Sequence, residues 1–153
     1  MFDPAAYLNV EITEPTVKRP PLPIGDYMAV IGAVKAEAWS GKPGGPGEGK
    51  SGIRWVVPLT IEVPPGIQAD LKLTQSTIVL SDSIMLDLTE GGLIDNSAGK
   101  NGKMRRYREA LDMNKPGDSF GPKRMEGRPV RVKLTHELYQ GDTQERIDAV
   151  ARP

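Results

Sequence analysis

Apolar and polar positions alternate along several stretches of the chain, and these stretches predict its strands. Tyr27 to Ala36 reads as a first strand, with Met28, Val30 and Val34 on one face. Gly32 inside it predicts a bulge or sharp bend. A second strand runs over residues 53–63. Ile53, Trp55, Val57, Leu59, Ile61 and Val63 share one side, with Arg54, Thr60 and Glu62 opposite, and Pro64-Pro65-Gly66 closes it. Residues 67–90 hold a third extended region. Its clearest parts are 76–80 and 84–88, separated by the polar Ser81-Asp82-Ser83. The strictest alternation comes late, with Val130, Val132 and Leu134 inward and Arg131, Lys133 and Thr135 outward. Tyr139-Gln140-Gly141-Asp142 then reads as a hairpin turn, and residues 145–150 as a fifth strand.

Between the third and fourth strands the period changes. Met104, Tyr107 and Leu111 recur at helical spacing, which predicts a helix from a cap at Asn101 through Asp112. Lys103, Arg105, Arg106 and Arg108 lie on its other faces. Residues 1–24 carry Pro4, Pro15, Pro20, Pro21 and Pro23, which forbid a long helix and predict an extended arm ahead of one domain over residues 25–153. Six glycines and two prolines within residues 39–52 predict a flexible hairpin loop. Gly44, Gly49, Lys50 and Ser51 can be forced onto a phosphate-loop spacing. That motif opens a helix, whereas a β-type sequence follows here at once, so a nucleoside-triphosphate site is rejected.

Composition narrows the chemistry. Gly (17) and Pro (14) are abundant for 153 residues, which argues against a helical bundle. Cysteine is absent, so disulfides, thiolate metal sites and a cysteine nucleophile are excluded. The single histidine, His136, makes a histidine metal cluster or a Ser-His-Asp triad a poor expectation. Asp82, Asp87 and Asp95 lack the spacing of a calcium loop. No catalytic frame, cofactor or metal is expected. No apolar run approaches the roughly 18 residues of a membrane span, which predicts a soluble protein of a reducing compartment. Formal net charge is zero, yet residues 99–133 hold 11 basic against 4 acidic side chains. A neutral total therefore conceals a basic segment.

Three strands, a helix and a β-hairpin form the element order of the oligonucleotide-binding (OB) fold. The fold class expected is mainly β, a five-stranded Greek-key barrel with one helix between strands three and four. Leu22-Pro23-Ile24-Gly25-Asp26-Tyr27, the Ser-Gly-Lys-Pro of residues 40–43 and Arg105-Arg106-Tyr107-Arg108-Glu109-Ala110-Leu111-Asp112 carry a further likeness. Met125-Glu126-Gly127-Arg128-Pro129-Val130-Arg131-Val132-Lys133 and Tyr139-Gln140-Gly141-Asp142 extend it over most of residues 20–152. With these, the chain resembles the OB-type single-stranded DNA-binding proteins of bacteriophages. The resemblance implies non-enzymatic, largely sequence-independent binding of single-stranded DNA during phage replication or recombination, in the cytoplasm of the infected host. Its partners would be single-stranded DNA and other phage replication or recombination proteins, with no membrane; a homo-oligomer stays open.

Such a site needs cations along a groove and flat rings against base faces. On the expected surface those are Trp39, Lys42, Lys50, Arg54 and Tyr139, joined by Lys103, Arg105, Arg106 and Arg108 on the helix and by Arg131 and Lys133 on the fourth strand. Trp55 and Tyr107 fall on apolar faces and are expected in the core. The alternative reading is a phage virion structural or assembly protein, because proline-rich arms and glycine loops suit packing between subunits.

Overall fold

Inward-pointing apolar side chains from successive strands meet in one core of 18 buried hydrophobic residues. The computed structural model describes residues 1–153. Its strands are β1 (Gly25–Ile31), β2 (Lys35–Ser40), β3 (Ser51–Glu62), β4 (Thr77–Met85), β5 (Pro129–Tyr139) and β6 (Asp142–Ala151). Three short α-helices are α1 (Pro65–Asp70), α2 (Gly102–Ala110) and α3 (Pro122–Met125), and a single 3-10 turn at Pro4–Tyr7 interrupts the arm expected to be extended. The protein is mainly β, a six-stranded antiparallel sheet consistent with a barrel-like fold.

The strand count differs from the expected five because the first strand is broken. β1 and β2 both pair with β3, at residues 59–61 and 51–56 respectively, and the chain bends between them at Gly32. Gly32 N donates to Pro58 O at 2.8 Å, and a Cβ there would meet the Pro58 ring at 3.1 Å. The buried face of β1 is also the opposite of the one expected. Tyr27, Ala29 and Ile31 point inward, whereas Val30 is 38% exposed. Both faces of this strand are apolar, so alternation alone is ambiguous. Pairing decides it, because Tyr27 and Ala29 stand opposite the buried Val132 and Val130 of β5.

Two other departures have local causes. The third extended region is one strand, β4, that runs through Ser81-Asp82-Ser83 without a break, paired to β3 from Thr77 to Met85. Asp82 points inward there and is accommodated by partners from α2. The segment after Pro64-Pro65-Gly66 is helical rather than extended, because Pro65 occupies the first helical position, where its missing N–H costs nothing. The turn at Gln140-Gly141 is as expected. Both residues have positive φ, 50° and 82°, which a two-residue hairpin between twisted strands requires.

Sheet order is β2-β3-β1-β5-β6, with β4 on the other side of β3. No backbone pairing joins β4 to β6, and α2 packs against both. Met104, Tyr107 and Ala110 turn inward from α2, with Leu111 just beyond. Asn101 sits at the predicted cap position but does not cap. Its left-handed backbone (φ 51°) aims the side chain instead at the segment leaving β4. There Asn101 Oδ1 accepts from Asp87 N at 2.8 Å, and Nδ2 donates to Asp87 O and Asp95 O.

The root of the arm is fixed to the β5–β6 hairpin. Arg19 meets Glu145 in a two-pronged ion pair at 2.7 and 3.2 Å, and Leu22 N donates to the same carboxylate at 3.0 Å. His136 Nε2 donates to Leu22 O at 2.7 Å, Tyr27 Oη to Pro23 O at 2.6 Å, and the Leu22 side chain is fully buried. Burial acts to raise the pKa of Glu145, but the hydrogen bonds from Arg19 and Leu22 outweigh it and hold the carboxyl below its ordinary value. A folded pKa below the unfolded one gives stability that is complete above the unfolded value, about 4.3, and is lost as pH falls through the folded one. The Leu22 amide, which donates to Glu145, should therefore be protected from hydrogen exchange at neutral pH and lose that protection below about pH 4. Glu145→Gln should be fast already at pH 7 and show no acid step. An acid step that persists in Glu145→Gln would assign it to another group.

Candidate nucleic-acid interface

β2 and β3 form a hairpin whose end carries four of the expected residues. Trp39 belongs to β2, not to the loop, and the connection shrinks to residues 41–50. That connection is folded on itself rather than open. Gly41 N donates to Lys50 O at 2.8 Å, Gly45 N to Lys42 O, Glu48 N to Gly45 O and Lys50 N to Gly47 O. A Cβ on Gly41 would lie 1.6 Å from Gly47 O, so only glycine permits this closure. Trp39 lies across its register partner Gly52, where a Cβ would stand 3.0 Å from the indole Nε1. That Nε1 is shielded from solvent and has no hydrogen-bond partner. One side of the ring is thus already covered. Lys42 and Lys50 are exposed and unpaired, whereas Arg54 is held by Glu37, which faces it across the strand pair.

On the outward face of β3 and β4, Arg54 is the sole cation and no aromatic ring is present. The helix cluster divides as well. Lys103 Nζ binds Asp82 at 2.6 Å. Arg108 is engaged inside the fold, donating to Met113 O and Asp118 O while its guanidinium lies 5.3 Å from the centre of the Phe120 ring. Phe120 in turn packs on Trp55, buried as the alternation predicts. Arg105 has a weak partner one turn on, Glu109 at 3.7 Å, and Arg106 has none.

Asp82 is buried, 8% exposed, and it receives Tyr107 Oη at 2.6 Å as well as Lys103. Burial first, and the Asp82 carboxylate second, drive the Tyr107 pKa far above its usual value. The hydroxyl therefore stays protonated and donates at any accessible pH. Asp87 is tied to Asn101 and Asp95 to Ser97, so the three aspartates serve separate contacts. Hydrogen bonds from the Ser97 side chain and backbone lower the pKa of Asp95. No group of three His, Asp or Glu side chains comes together.

A second group of cations collects at the far end of β3 from the hairpin loop. Arg131 and Lys133 point outward from β5, opposite Met28 and Asp26 of β1 and Ala151 and Ala149 of β6. Ala151 shares a recess of about 400 Å³ with Arg106. An adjoining recess of about 270 Å³ is lined by Arg128, Arg152, Pro129 and Pro153. Arg152 reaches Glu109 O and Asp112, while Arg106, Arg128, Arg131 and Lys133 make no ion pair or side-chain hydrogen bond. Sequence reading missed Arg128 and Arg152. The signal for Arg128 was its place beside Pro129 at the start of a strand that already carried Arg131 and Lys133. Tyr139 stands apart at the tip of the β5–β6 hairpin, 50% exposed.

No protein-family model matches the chain, and no curated protein matches it. No helix is long and apolar enough to cross a membrane.

Two substitutions test this geometry. Tyr107→Phe removes a donor from a buried carboxylate and should cost about 1–3 kcal/mol in chemical denaturation; an unchanged midpoint would mean that Asp82 does not depend on it. Gly41→Ala should speed amide exchange at Lys50 and neighbouring loop residues while the β5–β6 hairpin keeps its protection.

Proposed function

We propose that the protein binds single-stranded DNA without enzymatic activity and with little sequence preference, through cations that meet phosphates and exposed rings that stack on bases. The observation that carries this reading is a set of cations without ion pairs in a chain of zero net charge: Arg106 and Arg128 in neighbouring recesses, and Arg131 and Lys133 opposite Ala151 and Ala149 of the adjoining β6. Cations left without acidic partners are what a phosphate-binding surface requires. The element order supports an OB barrel. If β1 and β2 count as one bent strand, the sheet order becomes 3-2-1-4-5, with α2 between strands three and four. In such a barrel Lys42, Lys50 and Trp39 belong to the first hairpin loop region and Tyr139 to the last, the two loops that flank an OB binding face. The phage replication or recombination setting, in the host cytoplasm, follows from the resemblance alone.

A second reading, a virion structural or assembly protein, is favoured by one observation: the apolar side chains exposed along residues 1–17. Salt separates the two. A phosphate reader loses affinity linearly in log salt, with a slope near −0.7 per phosphate contact on single strands. Replacing Arg106, Arg131 and Lys133 together with Gln should flatten that slope by about two units and leave the melting temperature unchanged. An unaltered slope would remove these residues from the DNA path. Absent or salt-independent binding to a fluorescent oligonucleotide, or equal affinity for duplex and single strand, would reject the proposal.

A further inference from the structure

Residues 8–13 of the arm have a strand sequence without a strand partner. Leu8, Val10 and Ile12 alternate with Asn9, Glu11 and Thr13, the period of a half-buried strand. Yet the three apolar side chains are 83%, 56% and 80% exposed, and beyond Leu8, whose N–H closes the preceding turn on Ala5 O, no backbone hydrogen bond holds this stretch. The root of the same arm is fixed at Arg19 and Leu22, so the segment projects from an anchored base.

A matching vacancy exists on the sheet. β2 pairs with β3 on one side only, and no backbone group of residues 36–39 bonds to anything on the other. It is six residues long, the length of the unpaired arm segment. Ala36 and Ala38, both exposed, stand on the side of β2 that faces Trp55 and Ile53 of β3. Two small side chains there leave room for larger ones from an added strand. Charge agrees: residues 1–17 carry Asp3, Glu11 and Glu14 and no cation, whereas the hairpin carries Lys35, Lys42, Lys50 and Arg54 against Glu37 and Glu48.

The geometry points to strand exchange between copies of this chain, in which Leu8–Thr13 of one copy adds to the free edge of β2 in the next. Such pairing satisfies the open edge with main-chain hydrogen bonds and buries the alternating apolar face, as strand addition does elsewhere. The contact is heterologous, because arm and edge are different surfaces, so copies join head to tail into a ring or a row. The inference is independent of nucleic-acid binding and needs none for its test.

The absence of cysteine makes the test direct. Two single-cysteine variants of the full chain, Val10→Cys and Ala38→Cys, are mixed under mild oxidation and resolved without reductant. Paired strands bring Cα atoms to about 4.5–5.5 Å, within the reach of a disulfide. Docked segments have an effective concentration on the order of millimolar. The mixed pair should therefore form a linked dimer about tenfold faster or more than Val10→Cys mixed with Val79→Cys, an exposed position on β4. Sedimentation of the cysteine-free chain should show association that rises with concentration and disappears in the triple variant Leu8→Ser, Val10→Ser, Ile12→Ser. These residues are exposed in the single chain, so that variant should keep the parent's melting temperature at concentrations where the parent is monomeric. A monomer at every concentration, as an arm folded onto its own β2 would give, overturns the proposal. So does crosslinking no faster than the Val79→Cys control.

Discussion

The sheet is open between β4 and β6, and a buried carboxylate on β4 ties down the helix that fills the gap. β4 and β6 each pair with a single strand, and no backbone ladder connects them. Packing of α2 against both closes the gap, and Asp82 of β4 receives Tyr107 and Lys103 from that helix. A carboxylate taken out of water is unfavourable unless its oxygens are hydrogen-bonded, so the tie specifies where α2 sits as well as holding it there. The rest of the α2 side depends on that placement. Met104 and Tyr107 complete the core, Asn101 anchors the long connection from β4, and Arg108 reaches back to order residues 113–120 over Trp55.

The same placement sorts the cations. Four positive residues lie within one short stretch of α2, and their roles differ with helical angle. Lys103 faces the seam and neutralises Asp82, Arg108 caps carbonyls of the following loop, Arg105 leans on Glu109, and Arg106 alone is left to solvent. A charge cluster in sequence thus overstates what is available to a ligand. Cations distant in sequence make good the difference: Arg128 lines a recess beside that of Arg106, and Arg131 and Lys133 stand opposite Ala151 and Ala149 of β6, the strand on which α2 packs.

How far the chain could be read follows from the range of the information. The inward faces of β3 and β5 were legible residue by residue, since apolar side chains recur there at every second position. The Gln140-Gly141 turn was legible from its own two residues. β1 was visible as a strand, but its inward face was not, because both faces are apolar and the register with β5 decides. β4 looked interrupted at Ser81-Asp82-Ser83 because the partners of Asp82 lie more than 20 residues ahead. The engagement of Arg54 by Glu37 was hidden for a similar reason: it depends on which residues of β2 and β3 stand opposite each other. Helix α1 was missed because a proline pair reads as a stop when it is also a permitted start.

The glycine-rich connection shows how composition can mislead about order. Six glycines in residues 39–52 suggest a large unfolded ensemble, and for a chain of independent residues that inference is sound. Here the glycines serve distinct steric ends. Gly41 admits the carbonyl of Gly47 where no Cβ fits, Gly44 and Gly49 take φ of 78°, and Gly52 lets the Trp39 indole cross the strand pair. Each is a position that a side chain would strain or block. What the composition measures in this hairpin is the number of positions that exclude a side chain, by close backbone approach at Gly41, by positive φ at Gly44 and Gly49, and by the overlying indole at Gly52. Ordering entropy is therefore met on folding, so any ligand that meets Lys42 and Lys50 need not order the loop that carries them.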